Sequence, residues 1–343
     1  MRRTGNLYAG IASHSALLAA YHAASRHKRA HRACFEFTRN LGTNLARLEG
    51  ELQAGVYRPA PCNRFWITDG RKPRLIEAPA FRDLVVQHAV YAALAPLLER
   101  RYVDTSFACL QGKGTHRAAD WLQAAMRRAP RTAWVLHVDA RKFFYSIDRD
   151  ILQALLRRVI KCEPTLALLA DFAQRPEPTG VPIGNLLSQT FANVYLNSLD
   201  HFCKRTLKVA DYARYMDDGI MIAPDRLTAE SWLTEIRAHL ALLQLEISHY
   251  SLQPIRRGAN FVGFRTWARA RFVRHSVISA LRSDARRGRI EPIVSRLGHA
   301  RRTCSFRRLM NYLENSHVSV FTRLPQSFVA AYRRPGAPAR LGR

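Results

Sequence analysis

The class this sequence predicts is α+β, and three patterns predict it. Tyr212 and Ala213 lead into Tyr215-Met216-Asp217-Asp218, and Gly219, Ile220, Met221, Ile222 and Ala223 follow, which reads as strand, tight turn, strand. Trp134 to Val138 alternates and is rich in β-branched and aromatic residues, a second strand signal with Asp139 at its end. Helical spacing marks longer stretches: Leu84, Val85, His88, Tyr91, Ala92, Ala95 and Leu98 share a face over residues 81–101, and Leu233, Ile236, Leu240, Leu243 and Leu245 recur over 229–245.

Bulk properties narrow the partners. With 343 residues and 48% apolar content, the chain can bury a sizeable core and divide into two or three subdomains. Its 54 Lys plus Arg against 26 Asp plus Glu give a net charge of +28, which favours a polyanionic partner, most simply nucleic acid. Only seven of the basic residues are lysine, so a compositional preference for arginine contributes as well. Cysteines 34, 62, 109, 162, 203 and 304 are scattered without C-x₂-C spacing and read as reduced thiols in a cytoplasmic protein. The mildly apolar run from Leu7 to Ala24 is interrupted by His14 and His22 and followed by Arg26-His27-Lys28-Arg29. It makes a poor signal peptide, is too short and polar for a membrane span, and reads best as a short amphipathic helix, so no membrane partner is expected.

Residues 1–32 form a basic, His-rich leader in this reading. A helix runs from Cys34 to Glu51, with Leu41, Leu45, Leu48 and Leu52 in register and Gly55 ending it. Arg64 to Thr68 is a strand, Asp69-Gly70 a turn, and Pro73 to Ile76 the returning strand. Ser106 to Gln111 reads as a strand leading into Gly112-Lys113-Gly114 and a helix start, a turn type that presents N–H groups to phosphate. Residues 150–173 read as one amphipathic helix, and Pro176, Pro178 and Gly180 make a loop. Gly184 opens a helix with Leu187, Phe191, Val194 and Tyr195 on one face. Glu246 to His249 is a strand and Asn260 to Phe264 a turn. Helices are expected at 276–287, 291–300 and 306–315, in a segment from Arg265 onward that holds 18 Arg and no Lys. Residues 334–343 have the composition of a disordered tail.

The adjacent carboxylates carry the chemistry. Asp is a poor strand former, and two like charges side by side repel, a cost that a divalent cation offsets. The alternative is a solvated acidic turn. Asp139, brought beside the hairpin, would complete a site for two Mg²⁺ ions, which stand about 3.5–4 Å apart in two-metal phosphoryl transfer.

These residues resemble the reverse transcriptases. Asp139 with Phe143-Phe144 matches the family's first palm motif, and Tyr215-Met216-Asp217-Asp218 its catalytic hairpin. Val181-Pro182-Ile183-Gly184 with Ser188-Gln189 is similar to the third palm motif, and Asn260 to Phe264 to the primer-grip turn. Most bacterial members carry Gln-Gly-x-x-x-Ser-Pro where this chain has Ile-Gly-x-x-x-Ser-Gln, a variant similar to the polymerases of diversity-generating retroelements. The resemblance covers roughly residues 34–330.

What the resemblance implies is a right-hand polymerase fold. Fingers would span 33–105 and 146–182, a palm of antiparallel sheet backed by helices 106–145 and 183–265, and a helical thumb 266–333. Asp139, Asp217 and Asp218 would be the catalytic, metal-holding carboxylates for two Mg²⁺, with Mn²⁺ able to substitute. Lys72, Arg74, the stretch Ala140, Arg141, Lys142, Phe143 and Phe144, and Ile183 with Gly184 would bind the nucleotide. Phe144 would crowd the sugar 2′ carbon and exclude ribonucleotides, while Ile183, Ser188 and Gln189 would bear on fidelity. Lys113, Tyr215, Met216 and Gly263 would contact template and primer. Where the family often places a Lys, this chain has Glu246, so the general acid for pyrophosphate release stays unassigned, with His249 one option.

The implied activity is RNA-directed DNA synthesis: a template-repeat RNA copied into cDNA, with errors at template adenines. The partners implied are RNA template, DNA primer, dNTPs and the small basic accessory variability determinant protein. No RNase H, integrase or zinc endonuclease domain is expected after the thumb. Two alternatives stand beside this: a retron or phage-defence polymerase, and a catalytically silent RNA-binding protein on the same fold.

Overall fold

The computed structural model describes residues 3–69 and 72–334. In chain order, helices α1 (Tyr8–Ile11), α2 (His14–Ser25), α3 (Arg32–Arg39) and α4 (Leu41–Gln53) precede strands β1 (Asn63–Asp69) and β2 (Lys72–Ala78). Helices α5 (Phe81–Glu99) and α6 (Thr115–Arg128) lead to β3 (Trp134–Ala140). Then come α7 (Phe143–Ser146), α8 (Arg149–Arg157), α9 (Glu163–Ala173) and α10 (Leu186–His201). Strands β4 (Asp211–Tyr215) and β5 (Asp218–Ala223) are followed by α11 (Arg226–Leu242) and β6 (Ile247–Pro254). Strands β7 (Ala259–Phe261), β8 (Phe264–Thr266) and β9 (Arg271–Val273) precede α12 (His275–Arg286), α13 (Ile290–Ala300), α14 (Ser305–Ser316), α15 (Val318–Phe321) and α16 (Gln326–Arg333).

The chain divides into two compact units. The first comprises residues 1–109, 139–208 and 234–249. Its core is built on α5, which α1, α2, α3 and α10 all contact. Val85, Val86, Val90, Leu94 and Leu98 of α5 are buried, as are Leu17, Ala20, Tyr21 and Ala24 of α2. The N-terminal segment is therefore core-forming helix as well as basic sequence. β1 and β2 pair antiparallel from Asn63↔Ala78 to Asp69↔Lys72.

The second unit comprises residues 110–138, 209–233 and 250–343. It holds a sheet of order β4-β5-β3-β6 and a small antiparallel meander β7-β8-β9. Residues 139–140 of β3 and 247–249 of β6 belong to the first unit. β3 and β6 run antiparallel, since Ile255 N donates to Ala133 O (2.9 Å) at one end and Arg141 N to Glu246 O (2.7 Å) at the other.

Three local expectations are corrected. The helix over 34–51 is two helices, because Asn40 leaves the helical region at φ −122°, ψ 44°, as a turn-favouring residue does. The helix over 150–173 is also two. Cys162 is extended and Pro164, which lacks the N–H a continuing helix needs, sits in the first turn of α9. No strand forms over 106–111: Ser106 makes an isolated bridge and turns follow, with Cys109 at φ 54° and Gly112 at φ 70°. The calls on Gly70 and on residues 335–343 lie outside the described residues. Among the described residues, no helix is long and apolar enough to cross a membrane.

Candidate active site

Within the second unit, β4 and β5 form a hairpin whose register, Tyr215↔Asp218 and Arg214↔Gly219, leaves Met216 and Asp217 as a two-residue loop. Met216 takes φ 55°, a region L-residues rarely adopt. Arg214 holds it there. Its side chain is fully buried at 1% exposure, and its Nη1 donates to the Met216 carbonyl at 2.8 Å. Tyr215, Met216, Asp217 and Asp218 are all half-buried. Gly219 leaves little room for a side chain, since a Cβ there would stand 3.0 Å from Val138 Cγ2. β5 and β3 thus approach closely at the residue just before Asp139.

On β3, burial alternates so that His137 and Asp139 share the less buried face while Leu136, Val138 and Ala140 are buried. His137 Nε2 lies 3.0 Å from Asp218 Oδ1. In the first unit, Ser248 Oγ donates to Asp139 Oδ2 at 3.0 Å. Each of these two carboxylates thus has one oxygen oriented by a neutral or titratable neighbour. Among the described residues, no group of three or more His, Cys, Asp or Glu side chains is arranged to hold a metal ion. The chemistry of the side chains suits one: Asp217 and Asp218 in the second unit, and Asp139 in the first, carry hard oxygen ligands of the kind Mg²⁺ and Mn²⁺ take.

The first unit brings several predicted nucleotide-binding residues into one connected framework. After Asp139, Lys142 takes φ 44° and opens the single turn of α7. Phe143 is core, at 2% exposure, with its ring 6.3 Å from that of Tyr195, and Phe144 is half-buried. Val181 N donates to Phe144 O at 2.8 Å, and Glu77 N to Ile183 O at 2.6 Å. These bonds tie the α7 turn and the Ile183-Gly184 loop to β2. Gly184, at φ 109°, has Ile76 Cγ2 2.9 Å from where a Cβ would be. Arg74 lies exposed on β2, three residues before Glu77. Lys72 opens β2, and its side chain lies outside the described residues. Ser188 is buried on α10 and Gln189 exposed. Arg141 and Glu246 pair at 3.0 Å, both exposed, so Glu246 is engaged with its neighbour and His249 stands exposed beside Ser248.

Glu77 anchors this framework. It is 2% exposed and lies between Arg64 (Nε 3.4 Å) and Arg175 (Nε 3.3 Å), the latter itself 3% exposed. Sequence reasoning passed over Glu77, Arg214, His137 and Ser248. A signal existed for His137, two residues before Asp139 and so on its face of the strand. A charged residue on a strand, by contrast, reads as solvent-facing until the tertiary fold is known.

In the second unit, stacked rings join the first turn of α6 to the turn at Gly263. Lys113 precedes α6, whose first turn carries His116. The His116 ring is 5.7 Å from Phe264 and 6.0 Å from His299, and His299 stacks on Phe264 at 4.1 Å. Gly263 needs its φ of 87° and its lack of a side chain, because His299 Nε2 would be 2.9 Å from a Cβ. Burial, first of all, holds both histidines below the ordinary value of 6.5; Arg302 and Arg271 add to the effect on His116. Both therefore stay neutral to lower pH in the fold than in the unfolded chain, which takes up protons near the ordinary value. Their contribution to stability is present above pH ~6.5 and lost as pH falls through the depressed folded values. Thermal unfolding of wild type should shift to lower temperature between about pH 7 and pH 5, and His299→Phe should flatten that dependence. An equally steep profile in the variant would refute the assignment.

Comparison with known proteins adds the following. Residues 68–266 match the family model for reverse transcriptase (RNA-dependent DNA polymerase). The chain is 27% identical over 174 residues to Protein YkfC of Escherichia coli (strain K12), covering 47% of this chain and 46% of that protein. It is 28% identical over 169 residues to Group II intron-encoded protein LtrA of Lactococcus lactis subsp. cremoris, covering 46% of this chain and 28% of LtrA. It thus spans less than half the length of either relative. Telomerase from Candida albicans, solved in complex with a TWJ fragment of telomeric RNA, superposes with a TM-score of 0.51 at 11% identity, covering 81% of this chain and 59% of that one. Apo telomerase from Candida tropicalis gives 0.51 at 11% identity, covering 80% and 62%. At such identity the likeness is one of fold: mixed helix and antiparallel sheet, the right-hand polymerase class.

Proposed function

The chain belongs to the reverse transcriptase family, and from that premise we propose that it is an RNA-directed DNA polymerase that copies a template-repeat RNA into cDNA. The observation that carries the reading is the hairpin that sets Asp217 in a two-residue turn and Asp218 directly after it on β5, with His137 of the neighbouring strand β3 against the Asp218 carboxylate. Fingers (33–105 and 146–182), palm (106–145 and 183–265) and thumb (266–333) are the corresponding subdomains.

In this reading Asp139 and Asp217 would hold two Mg²⁺ ions, or Mn²⁺ in their place, with Asp218 supporting the site. When bound, such a pair stabilises the charge that develops on the phosphoryl oxygens. The chain's own residues do the positioning. Arg214 fixes the turn that carries Asp217, His137 orients Asp218, and Ser248 orients Asp139. Arg74 neutralises the triphosphate, its planar fork suiting phosphate oxygens, and the backbone from Ala140 to Phe143 seats it. Phe144 limits the space at the sugar 2′ position. The primer 3′-hydroxyl then displaces pyrophosphate in line.

Ile183 carries the further proposal of targeted diversification, with an accessory variability determinant protein as partner. A branched apolar edge there replaces a Gln amide, so one hydrogen bond near the incoming nucleotide is missing and base-pair discrimination loosens. Ile183→Gln should lower misincorporation opposite template A, read by sequencing cDNA from a defined RNA template. An unchanged error spectrum would remove Ile183 from the account.

A further inference from the structure

We propose that His299 is a positioning residue for primer binding: it holds the two-residue turn Val262-Gly263 in the shape that meets the primer strand. This rests on the polymerase reading above, in which the turn at Gly263 contacts template and primer. The turn joins β7 to β8, whose register Phe261↔Phe264 leaves Val262 and Gly263 as the loop. Val262 takes φ 44° and Gly263 φ 87°. Positive φ at both positions is what the tightest hairpin turns require, and glycine adopts it freely. A β-branched residue does not, so Val262 is strained. Such strain persists only where the surroundings enforce it, and it gathers at ligand-binding segments.

His299 supplies that enforcement. It sits near the C-terminal end of α13, and its ring stacks on Phe264 with centroids 4.1 Å and planes 16° apart. Phe264 is wholly buried, with the Arg271 guanidinium over its ring at 5.4 Å. The edge of the His299 ring faces the turn: from the place a Cβ of Gly263 would take, Nε2 is 2.9 Å and Cε1 3.1 Å away. Val262 is buried, while Gly263 keeps part of its surface open. A histidine stacked on a core phenylalanine is usually packing alone. What sets this one apart is where the other end of the turn leads. The Phe261 ring lies edge-on to that of His137, at 6.4 Å and 78°, and His137 Nε2 is 3.0 Å from Asp218 Oδ1. The second unit therefore carries a run of contacts from the Asp218 carboxylate, through β7 and the strained turn, to His299.

The charges around the ring make its neutral form the one that fits. His116 of α6 lies 6.0 Å away. Arg274, before α12, faces His299, while Arg271 of β9 and Arg302, after α13, face His116. Both Arg271 and Arg302 draw on one acid, Asp120 of α6, at 2.6 and 3.3 Å. Burial above all disfavours a charged His299; the Gly263 backbone opposes this, and His116 and Arg274 add to it. A proton there would set a cation among three arginines, so acid should loosen the turn. The ordinary effect of acid on a protein that binds a polyanion is the reverse, since added positive charge tightens binding.

The test uses the full-length protein and a labelled DNA primer annealed to an RNA template, with affinity read by fluorescence anisotropy and kcat by single-nucleotide extension. At about pH 8, His299→Ala should bind the primer–template about tenfold more weakly, a loss of ~1.4 kcal/mol, and keep kcat within about twofold of wild type. Its affinity for the same RNA without primer should match wild type. His299→Phe keeps a flat ring on Phe264 and so guards against a folding defect; at about pH 8 it should bind the primer–template within about threefold of wild type. Between about pH 7.5 and 5.5 wild-type affinity should fall and that of His299→Phe should stay flat. Unchanged affinity in His299→Ala, an equal loss on RNA alone, or a drop in kcat as large as the drop in affinity would overturn the proposal. So would acid that tightens binding alike in wild type and His299→Phe. Absent extension by wild type would instead count against the polymerase reading, and the anisotropy comparison would still decide the role of His299.

Discussion

Asp217→Asn is expected to reduce deoxynucleotide addition on an RNA template on the order of a thousandfold, with thermal unfolding unchanged. The estimate follows from the several kcal/mol of charge stabilisation that a metal site supplies in phosphoryl transfer, each ~1.4 kcal/mol being a factor of ten in rate. The fold should not suffer, because Asp217 sits half-buried in the two-residue loop, outside the β4–β5 ladder. Asp211→Asn is the matched control. It removes a carboxylate from the far end of the same strand, where the partner is Arg128, and should leave extension near wild type. Equal losses in both variants would mean that the hairpin is sensitive to charge in general and that Asp217 has no special role.

The second large effect is on stability. Glu77→Ala should destabilise the first unit by about 3–5 kcal/mol, the usual cost of removing one partner from a buried ion pair. Arg175 would remain 97% out of solvent, facing the half-exposed Glu177, and Arg64 would lose its contact with Glu77. Against the 5–15 kcal/mol that holds a typical domain, the loss is severe and should lower the urea midpoint clearly. The double variant Glu77→Ala/Arg175→Met should recover part of it, because the stranded cation is then gone as well. No recovery would assign the loss to packing at β2 and not to charge. The effect should reach the nucleotide framework too, since the Glu77 backbone N–H holds the Ile183 carbonyl.

The sequence made the hairpin legible because its chemistry is costly: two carboxylates interrupting a β-rich run need a compensating function. β3 was legible by alternation, and α5, α12, α13 and α14 by helical spacing, all within a few residues of their observed bounds. Breaks inside helices were harder. Asn40 and Pro164 each break a stretch whose apolar spacing reads as one helix, and spacing alone does not register such a break. The supporting residues were hidden for a different reason. Arg214 and Glu77 are charged residues on strands, and only the packed fold shows that both are nearly fully buried. Ser248 meets Asp139 from 109 residues away in sequence, a distance no local pattern spans. The Arg271–Asp120 contact across 151 residues is of the same kind.

The most direct test of the central claim is primer extension by the wild-type protein on an RNA template annealed to a DNA primer, with Mg²⁺ and dNTPs. The account predicts primer elongation to the template's 5′ end, dependence on the divalent cation, and loss of product with Asp217→Asn. No elongation by the wild type, even with a structured template-repeat RNA and the accessory protein present, would contradict it.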